Sequence, residues 1–417
     1  MKLKRIIYNK ILQEIKRKET SILIGPRQVG KTTILKELSL FCLRKKIRHR
    51  YFNLEIPTDA SFFVRDFGIL LKELCSVKNI ILLDEFQYLP NATQFFKVVY
   101  DGYPGVKIIA SGSSALEMHK HMKESLAGRR IIYKIYPLSF SEWLPSKTKN
   151  QMLPKSINDK PDNIAHKKLK KYLNDFLVYG GMPGLVHEKT DADKKRLLLD
   201  LVATYIQKDI KALLREEDVL SFNRLLSVLA ANEGGLLSEN AISGNLNYSL
   251  RQIRKDLTIL NQMFLLYSLK PFSTNRTREL KQTTKTYFFD TGIRNAIIND
   301  FRSHEVRPDK GALLESFVFN EIQKNLKIAQ EIYYWRTRQK DEVDFILIQD
   351  RVPLAIEVKS SIHKNEIPHG IKRFIDIYPE CKMAVILNND YYGKTIYSGK
   401  TVLFAPHYYA GLLPDCF

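Results

Sequence analysis

Cysteine is scarce in this 417-residue chain: Cys42, Cys75, Cys381 and Cys416 stand far apart and form no CxxC pair. That spacing argues against a disulfide framework and a zinc site, and it suits reduced thiols in a cytosolic compartment. Long apolar runs are also missing. No stretch approaches the roughly 18 to 20 apolar residues that a membrane span needs. The basic start, Met1-Lys-Leu-Lys-Arg-Ile-Ile, has no apolar run long enough for a signal peptide. The expectation is a soluble, cytoplasmic chain with no membrane partner. No internal repeat is visible. Acidic residues are few beside basic ones, 45 Asp and Glu against 66 Lys and Arg, a formal charge of +21. Such a surplus attracts nucleic acid and other polyanions through the summed field. A solvated basic surface is the plainer reading, and nucleotide or nucleic-acid partners are the favoured one.

Core material is ample, with 44% hydrophobic and 11% aromatic residues. The length predicts two to four domains. Residues 5–18 read as a charged helix with Ile6, Ile7, Ile11 and Ile15 on one face. Short apolar strands at 21–24, 51–54, 80–83 and 106–110 alternate with helical stretches, the pattern of a parallel sheet covered on both faces. The fold class expected is therefore α/β.

Gly25-Pro-Arg-Gln-Val-Gly-Lys-Thr32 matches GxxxxGK[ST], with an apolar strand before it and a helical stretch after it. The spacing has a chemical purpose. A glycine-rich turn aims consecutive backbone N–H groups at a phosphate, at the positive end of a helix. Gly25, Gln28, Val29, Gly30, Lys31, Thr32 and Thr33 are expected to hold ATP. Lys31 would reach the β- and γ-phosphates, and the Thr32 hydroxyl would ligate Mg²⁺. Ile80-Ile-Leu-Leu-Asp84-Glu85 supplies the second half. Asp84, at the carboxyl end of a buried strand, can hold Mg²⁺, and Glu85 can take a proton from the attacking water. Ile108-Ile-Ala-Ser-Gly-Ser-Ser114 ends another strand in small polar residues. Ser113 is the favoured contact to the γ-phosphate or the water, with an ordinary turn as the alternative.

These segments, with Ser125-Leu-Ala-Gly-Arg-Arg and Tyr136-Pro-Leu-Ser-Phe-Ser-Glu-Trp143, resemble the prokaryotic AAA+ ATPases related to the archaeal ATPase group. Tyr179-Gly-Gly-Met-Pro-Gly184, Lys285-Thr-Tyr-Phe-Phe-Asp-Thr-Gly-Ile293 and Gly311-Ala-Leu-Leu-Glu-Ser-Phe-Val318 resemble later signatures of the same family. The resemblance covers nearly the whole chain and implies an oligomeric ATPase. It makes Ser113 similar to a sensor-1 residue and Arg129 similar to an arginine finger offered to a neighbouring subunit; Arg130 is an equally legal candidate by chemistry.

Further along, Ser249-Leu-Arg-Gln252 fits a capping box, followed by a helix with Leu250, Ile253, Leu257 and Leu260 on one face. With the preceding helix and turn it looks like a winged helix. Arg251, Arg254 and Lys255 would contact DNA or RNA, unless this is a lid or a protein contact. In the C-terminal part, Asp344 and the Glu357-Val-Lys359 triplet lie on successive strands. Residues i and i+2 of a strand share a face. With Glu315 on the preceding helix, the set looks like the PD-(D/E)xK nuclease core: Glu315, Asp344 and Glu357 around Mg²⁺, with Lys359 as its catalytic lysine. Alternating surface salt bridges, or a nuclease fold that only binds, are the rival readings. The organisation expected is an AAA+ P-loop core over 1–145, a linker or mobile loop over 146–168, a helical lid over 169–215, a winged helix over 216–272, and a nuclease-like domain over 273–417. Two functions compete. One is an ATPase acting on nucleic acid as a homo-oligomer; the other is an ATP-gated interaction or signalling switch with an inert nuclease-like docking domain.

Overall fold

Five runs of the N-terminal part pair side by side, the three interior ones apolar enough to be buried between helices. They are β1 (Thr20–Ile24), β2 (His49–Asn53), β3 (Asn79–Asp84), β4 (Val106–Gly112) and β5 (Arg130–Lys134). The sheet is parallel throughout, in the order β2-β3-β4-β1-β5. β1, β3 and β4 are buried along their whole length, as interior strands covered on both faces must be. The edge strands β2 and β5 are partly exposed. The computed structural model describes residues 3–112, 126–148, 152–205, 218–273 and 283–417. It divides into two units, one of Lys2–Pro137 with Thr258–Leu265, the other of Leu138–Leu257 with Leu266–Phe417.

In the first unit, Ile22, Ile81, Leu83 and Ile108 of the sheet pack with Leu74, Phe95, Phe96 and Val99 of the covering helices. Register decides what meets at the carboxyl edge. Leu23 pairs with Ser111, Leu83 with Ala110, and Asn53 with Asp84. The ends of β1, β4, β3 and β2 therefore finish at one level. The N-terminal helix is shorter than the 5–18 expected: it spans Ile6–Gln13, then a 3-10 turn at Glu14–Lys16. The chain must become extended by Arg17 to enter β1.

The second unit combines helices with a mixed sheet. Residues 152–162, expected as linker or loop, are held by local hydrogen bonds. The Lys155 and Ser156 N–H groups donate to Asp159, and the Tyr392 and Tyr409 hydroxyls donate to the Ile157 and Asp159 carbonyls. A helix then begins inside the expected linker, at Asn163, and runs to Tyr179. The Asp162 side chain caps it by accepting from Ala165 N. Its first turn, Asn-Ile-Ala-His, follows Lys160-Pro-Asp162 and reads as loop in sequence. Helices Val219–Ala231, Glu239–Leu246 and Leu250–Gln262 follow. The Ser249 hydroxyl accepts from Gln252 N at 3.2 Å, but the Gln252 amide donates to Asp256 rather than back to the cap. β6 (Leu266–Leu269) pairs antiparallel with β7 (Lys285–Phe288), and Leu236 bridges to Lys285.

The second sheet contains β8 (Gln330–Arg336), β9 (Glu342–Gln349), β10 (Val352–Val358), β11 (Met383–Asn388), β12 (Gly393–Tyr397) and β13 (Lys400–Pro406), in the order β12-β13-β11-β10-β9-β8. Ile346, Ala355, Phe374, Ala384, Ile386 and Phe404 lie in its core. No helix among the described residues is long and apolar enough to cross a membrane.

Candidate nucleotide site and carboxylate cluster

Gly25 leaves β1 so close to the neighbouring strand exit that a Cβ would stand 2.1 Å from the Ile135 carbonyl oxygen. Only glycine fits there. Gln28 (φ 60°) and Gly30 (φ 96°) then turn left-handed, and Gly30 caps the helix Lys31–Arg44. The first N–H groups of that helix have no intrahelical acceptor and form the positive end of its dipole. Lys31, Thr32 and Thr33 form the first turn of that helix, so their amides lie at its positive end. Lys31 is buried, and its ammonium donates to the Gly25 and Pro26 carbonyls at 2.9 and 2.7 Å. Arg5 braces the loop from outside: Nη1 donates to the Val29 carbonyl at 2.7 Å and Nη2 to the Tyr136 carbonyl at 2.6 Å. Nothing in the basic N-terminal sequence distinguishes Arg5 from its neighbours, because its partners come from distant turns.

Asp84 ends β3, buried, with both carboxylate oxygens engaged from flanking strands. Tyr51 of β2 donates to Oδ2 at 3.1 Å, and the Ser111 hydroxyl of β4 donates to Oδ1. Burial and the Asp84 charge push the Tyr51 phenol up, which keeps it a donor. Glu85 follows in a left-handed conformation, φ 54° and ψ 52°. For a non-glycine residue this is an uncommon conformation of the kind that clusters at functional sites. The Gln87 amide donates to its Oε2 at 2.5 Å. β4 passes tightly beneath: a Cβ on Gly112 would lie 2.7 Å from the Phe86 ring. Ser111 escaped the sequence reading, which favoured Ser113; Ser113 lies outside the described residues. Only the register of the folded sheet puts Ser111 there, since the residue after the Leu83–Ala110 pair faces Asp84. The donor set (amides at a helix start, an ammonium, the Thr32 hydroxyl, a fixed carboxylate) fits a magnesium triphosphate.

Arg129 precedes β5, and its Nε donates to Asp101 at 2.9 Å, holding that carboxyl below its usual range. Arg130 is half-buried, with its Nη1 out of water and without a hydrogen-bond acceptor. Arg251, Arg254 and Lys255 are exposed on the helix Leu250–Gln262. Arg254 pairs with Glu239 at 2.6 Å.

The C-terminal carboxylates do share a neighbourhood. Glu357 and Lys359 lie on one face, with Nζ 2.6 Å from Glu357 Oε1. Val358 N donates to Asp344 Oδ2 at 2.8 Å from the adjacent strand. Burial, then the charges of Glu357 and Glu315, push the Asp344 carboxyl well up. Glu357 is raised too, chiefly by burial, and its Oε2 is buried without a partner. Glu315 is occupied otherwise. The buried Lys285 ammonium sits 2.9 Å from its Oε1 and 2.6 Å from Glu342, and the Tyr287 hydroxyl donates to it at 2.5 Å. Lys285 and Tyr287 were missed as members of this cluster, although the two-residue strand period puts them on one face. The orphaned Glu357 oxygen and the crowded carboxyls fit a cation; the ion-paired Glu315 fits less well as its third ligand. Among the described residues no three His, Cys, Asp or Glu side chains are placed to hold a metal ion.

Residues 17–144 match the family described as an AAA domain; residues 170–304 and 310–408 each match a domain of unknown function (DUF8612 and DUF4143). An uncharacterized protein of Haemophilus influenzae is 25% identical over 419 residues, 95% of this chain and 96% of that protein. One from Methanocaldococcus jannaschii is 25% identical over 386 residues, 88% of this chain and 82% of that protein. A solved structure of the Aeropyrum pernix ORC1 protein in complex with DNA covers 72% of this chain and 93% of its own, at 13% identity and a TM-score of 0.30.

Proposed function

We propose that this chain, which belongs to the prokaryotic AAA+ P-loop ATPases by its AAA domain, hydrolyses ATP in its first unit and applies that turnover to nucleic acid through its second. The observation that carries the ATPase reading is the shared carboxyl edge of the parallel sheet. It brings the amides of the 25–33 loop, Lys31, Asp84 and Glu85 out on one side. In this reading the loop amides and the Lys31 ammonium cradle the phosphates, and Thr32 and Asp84 hold magnesium. The bound ion supplies charge neutralisation across the phosphate oxygens. Glu85 accepts the proton of the attacking water, and Ser113 beyond the end of β4 senses the γ-phosphate. Arg129 would serve a neighbouring copy as a finger only after releasing Asp101. Arg130, on the edge strand, remains the other candidate.

Support for nucleic acid comes from the +21 charge and from the second unit's order of helix, bridge, two helices and hairpin, which is that of a winged helix. With Arg254 tied to Glu239, Arg251 and Lys255 are the residues left to meet phosphates. The test is ATP turnover with and without single-stranded DNA, duplex DNA and RNA, with affinity followed against salt. A nucleic-acid ATPase is stimulated by one of them and loses affinity steeply as salt rises. No stimulation, together with no DNA or RNA affinity at low salt, sinks the reading.

One observation favours the second reading, an ATP-gated switch with an inert docking domain. Lys285 already neutralises Glu315 inside the carboxylate cluster, as a built-in cation would. Cleavage of DNA or RNA under Mg²⁺ or Mn²⁺ that is lost on Lys359→Ala would exclude it.

A further inference from the structure

A cleft of about 340 Å³ opens within the second unit. Lys167, Lys170 and Lys171 of the helix Asn163–Tyr179 line it together with His304, His407 and Tyr408. His407 is fully buried; neither ring nitrogen makes a well-formed hydrogen bond, and the Lys359 main chain offers a looser contact. That is a rare condition, since nearly all buried polar atoms are paired and an orphaned one bears its full desolvation cost. The groups around it are otherwise arranged. His304 Nδ1 meets Asn174 Oδ1 at 2.7 Å, His166 Nδ1 meets the Tyr408 hydroxyl at 2.8 Å, and Lys170 pairs with Asp390 at 2.5 Å. Lys167 and Lys171 lie one helical turn apart, exposed, with no ion-pair partner among the described residues. Glu305 is the acid in the lining. With Asp390 spent on Lys170, the lining keeps a positive surplus.

We propose that this cleft binds a phosphate group, carried either by a small phosphorylated molecule or by a nucleic-acid backbone, with Lys167 and Lys171 at its mouth and the His407 imidazole donating from its floor. The volume lies at the small end of the range for ligand pockets, enough for one nucleotide unit. Two ammonium groups and a fixed N–H donor form charge-assisted and neutral hydrogen bonds to the same oxyanion. The imidazole serves in its neutral form, because burial and the nearby His304 and Lys170 charges push it down to about 3, against weaker support from the Lys359 main chain and Asp390. The proposal does not depend on the ATPase reading.

The full chain carrying Lys31→Ala, which silences the P-loop, is titrated with inorganic phosphate, with AMP and with a short oligothymidylate, by calorimetry at low salt. Saturable binding of at least one probe is expected. It should weaken about tenfold or more when Lys167→Ala and Lys171→Ala are added. Both lysines are exposed on a helix, so the melting temperature should hold. Weaker binding by a folded His407→Gln variant adds support; if that variant does not fold, the lysine pair decides. Binding of AMP or phosphate but not oligonucleotide marks a small-molecule site, and the converse marks backbone phosphate. No saturable binding of any probe, or binding that the lysine pair leaves unchanged, overturns the proposal.

Discussion

At the scale of single residues, the nucleotide site divides into groups fixed by local spacing and groups fixed by strand pairing. Lys31, Thr32, Asp84 and Glu85 were legible because each motif is contiguous, and its strand or helix setting can be read beside it. Tyr51 and Ser111 were not, because they reach Asp84 across strand pairs that only the three-dimensional order reveals. Two outcomes follow. Glu85→Gln should cut ATP turnover by about 10²-fold or more while leaving nucleotide binding intact, since a glutamine keeps the shape and loses the base. Steady-state turnover and equilibrium binding measured side by side check it, and full turnover in the variant would remove Glu85 from the chemistry. Ser111→Ala frees one oxygen of Asp84. Loss of such a supporting hydrogen bond costs about 10- to 100-fold in metal affinity or activity. The magnesium concentration needed for half-maximal turnover should rise accordingly, and an unchanged magnesium profile would show that Ser111 does not position Asp84.

Elements depend on joints that single motifs do not display. Tyr179-Gly-Gly-Met-Pro-Gly184 and Phe289-Asp-Thr-Gly292 were read as family signatures without a stated task. They meet each other. Asp290 is buried, its Oδ2 accepting from Gly181 N at 2.8 Å and its Oδ1 from Gly292 N and Ile293 N, capping the helix Thr291–Ile297. A Cβ on Gly292 would lie 1.9 Å from the Tyr179 carbonyl oxygen, and one on Gly181 2.2 Å from the Leu138 carbonyl oxygen. Both obstacles are backbone. Gly292→Ala should therefore destabilise the second unit by about 3 kcal/mol or more, an overpacking cost with no side chain able to yield. Thermal melts read it, and a melting temperature within a degree or so of wild type would contradict the close approach. Periodicity located four strands of the first sheet to within two residues, expected at 21–24, 51–54, 80–83 and 106–110 and found at Thr20–Ile24, His49–Asn53, Asn79–Asp84 and Val106–Gly112. It missed the start of the helix at Asn163, because Ile164 is exposed and the buried apolar stripe starts only at Leu169.

For the molecule as a whole, one buried acid ties stability to pH. Glu233 accepts from Phe288 N and the Ser316 hydroxyl, and burial raises its carboxyl from the usual 4.5 to about 7. Between those values the folded chain retains a proton that the unfolded chain releases. Its contribution is thus fully present below about 4.5 and lost as pH rises through about 7. Glu233→Gln removes the titration. The variant's melting temperature should gain on wild type as pH climbs across that window, then run parallel above it. A difference constant from pH 4.5 to 8 would refute the assignment. What sequence could not foretell at this scale is which segments associate. Thr258–Leu265 fall with the first unit although they complete and follow a helix of the second. Only packing, with Phe264 in the first unit's core, decides such a division.

The strand order also says something about how the polypeptide is made. β1 leaves the ribosome before the other four strands of its sheet, yet its two neighbours there are β4 and β5, the last of the five. At typical synthesis rates, on the order of ten seconds separates the emergence of Ile24 from that of Gly112. Through that interval an apolar strand with two open edges has no native neighbour to shield it. Nascent chains of this protein should accordingly be strong clients of ribosome-associated chaperones until the β4 segment clears the exit tunnel.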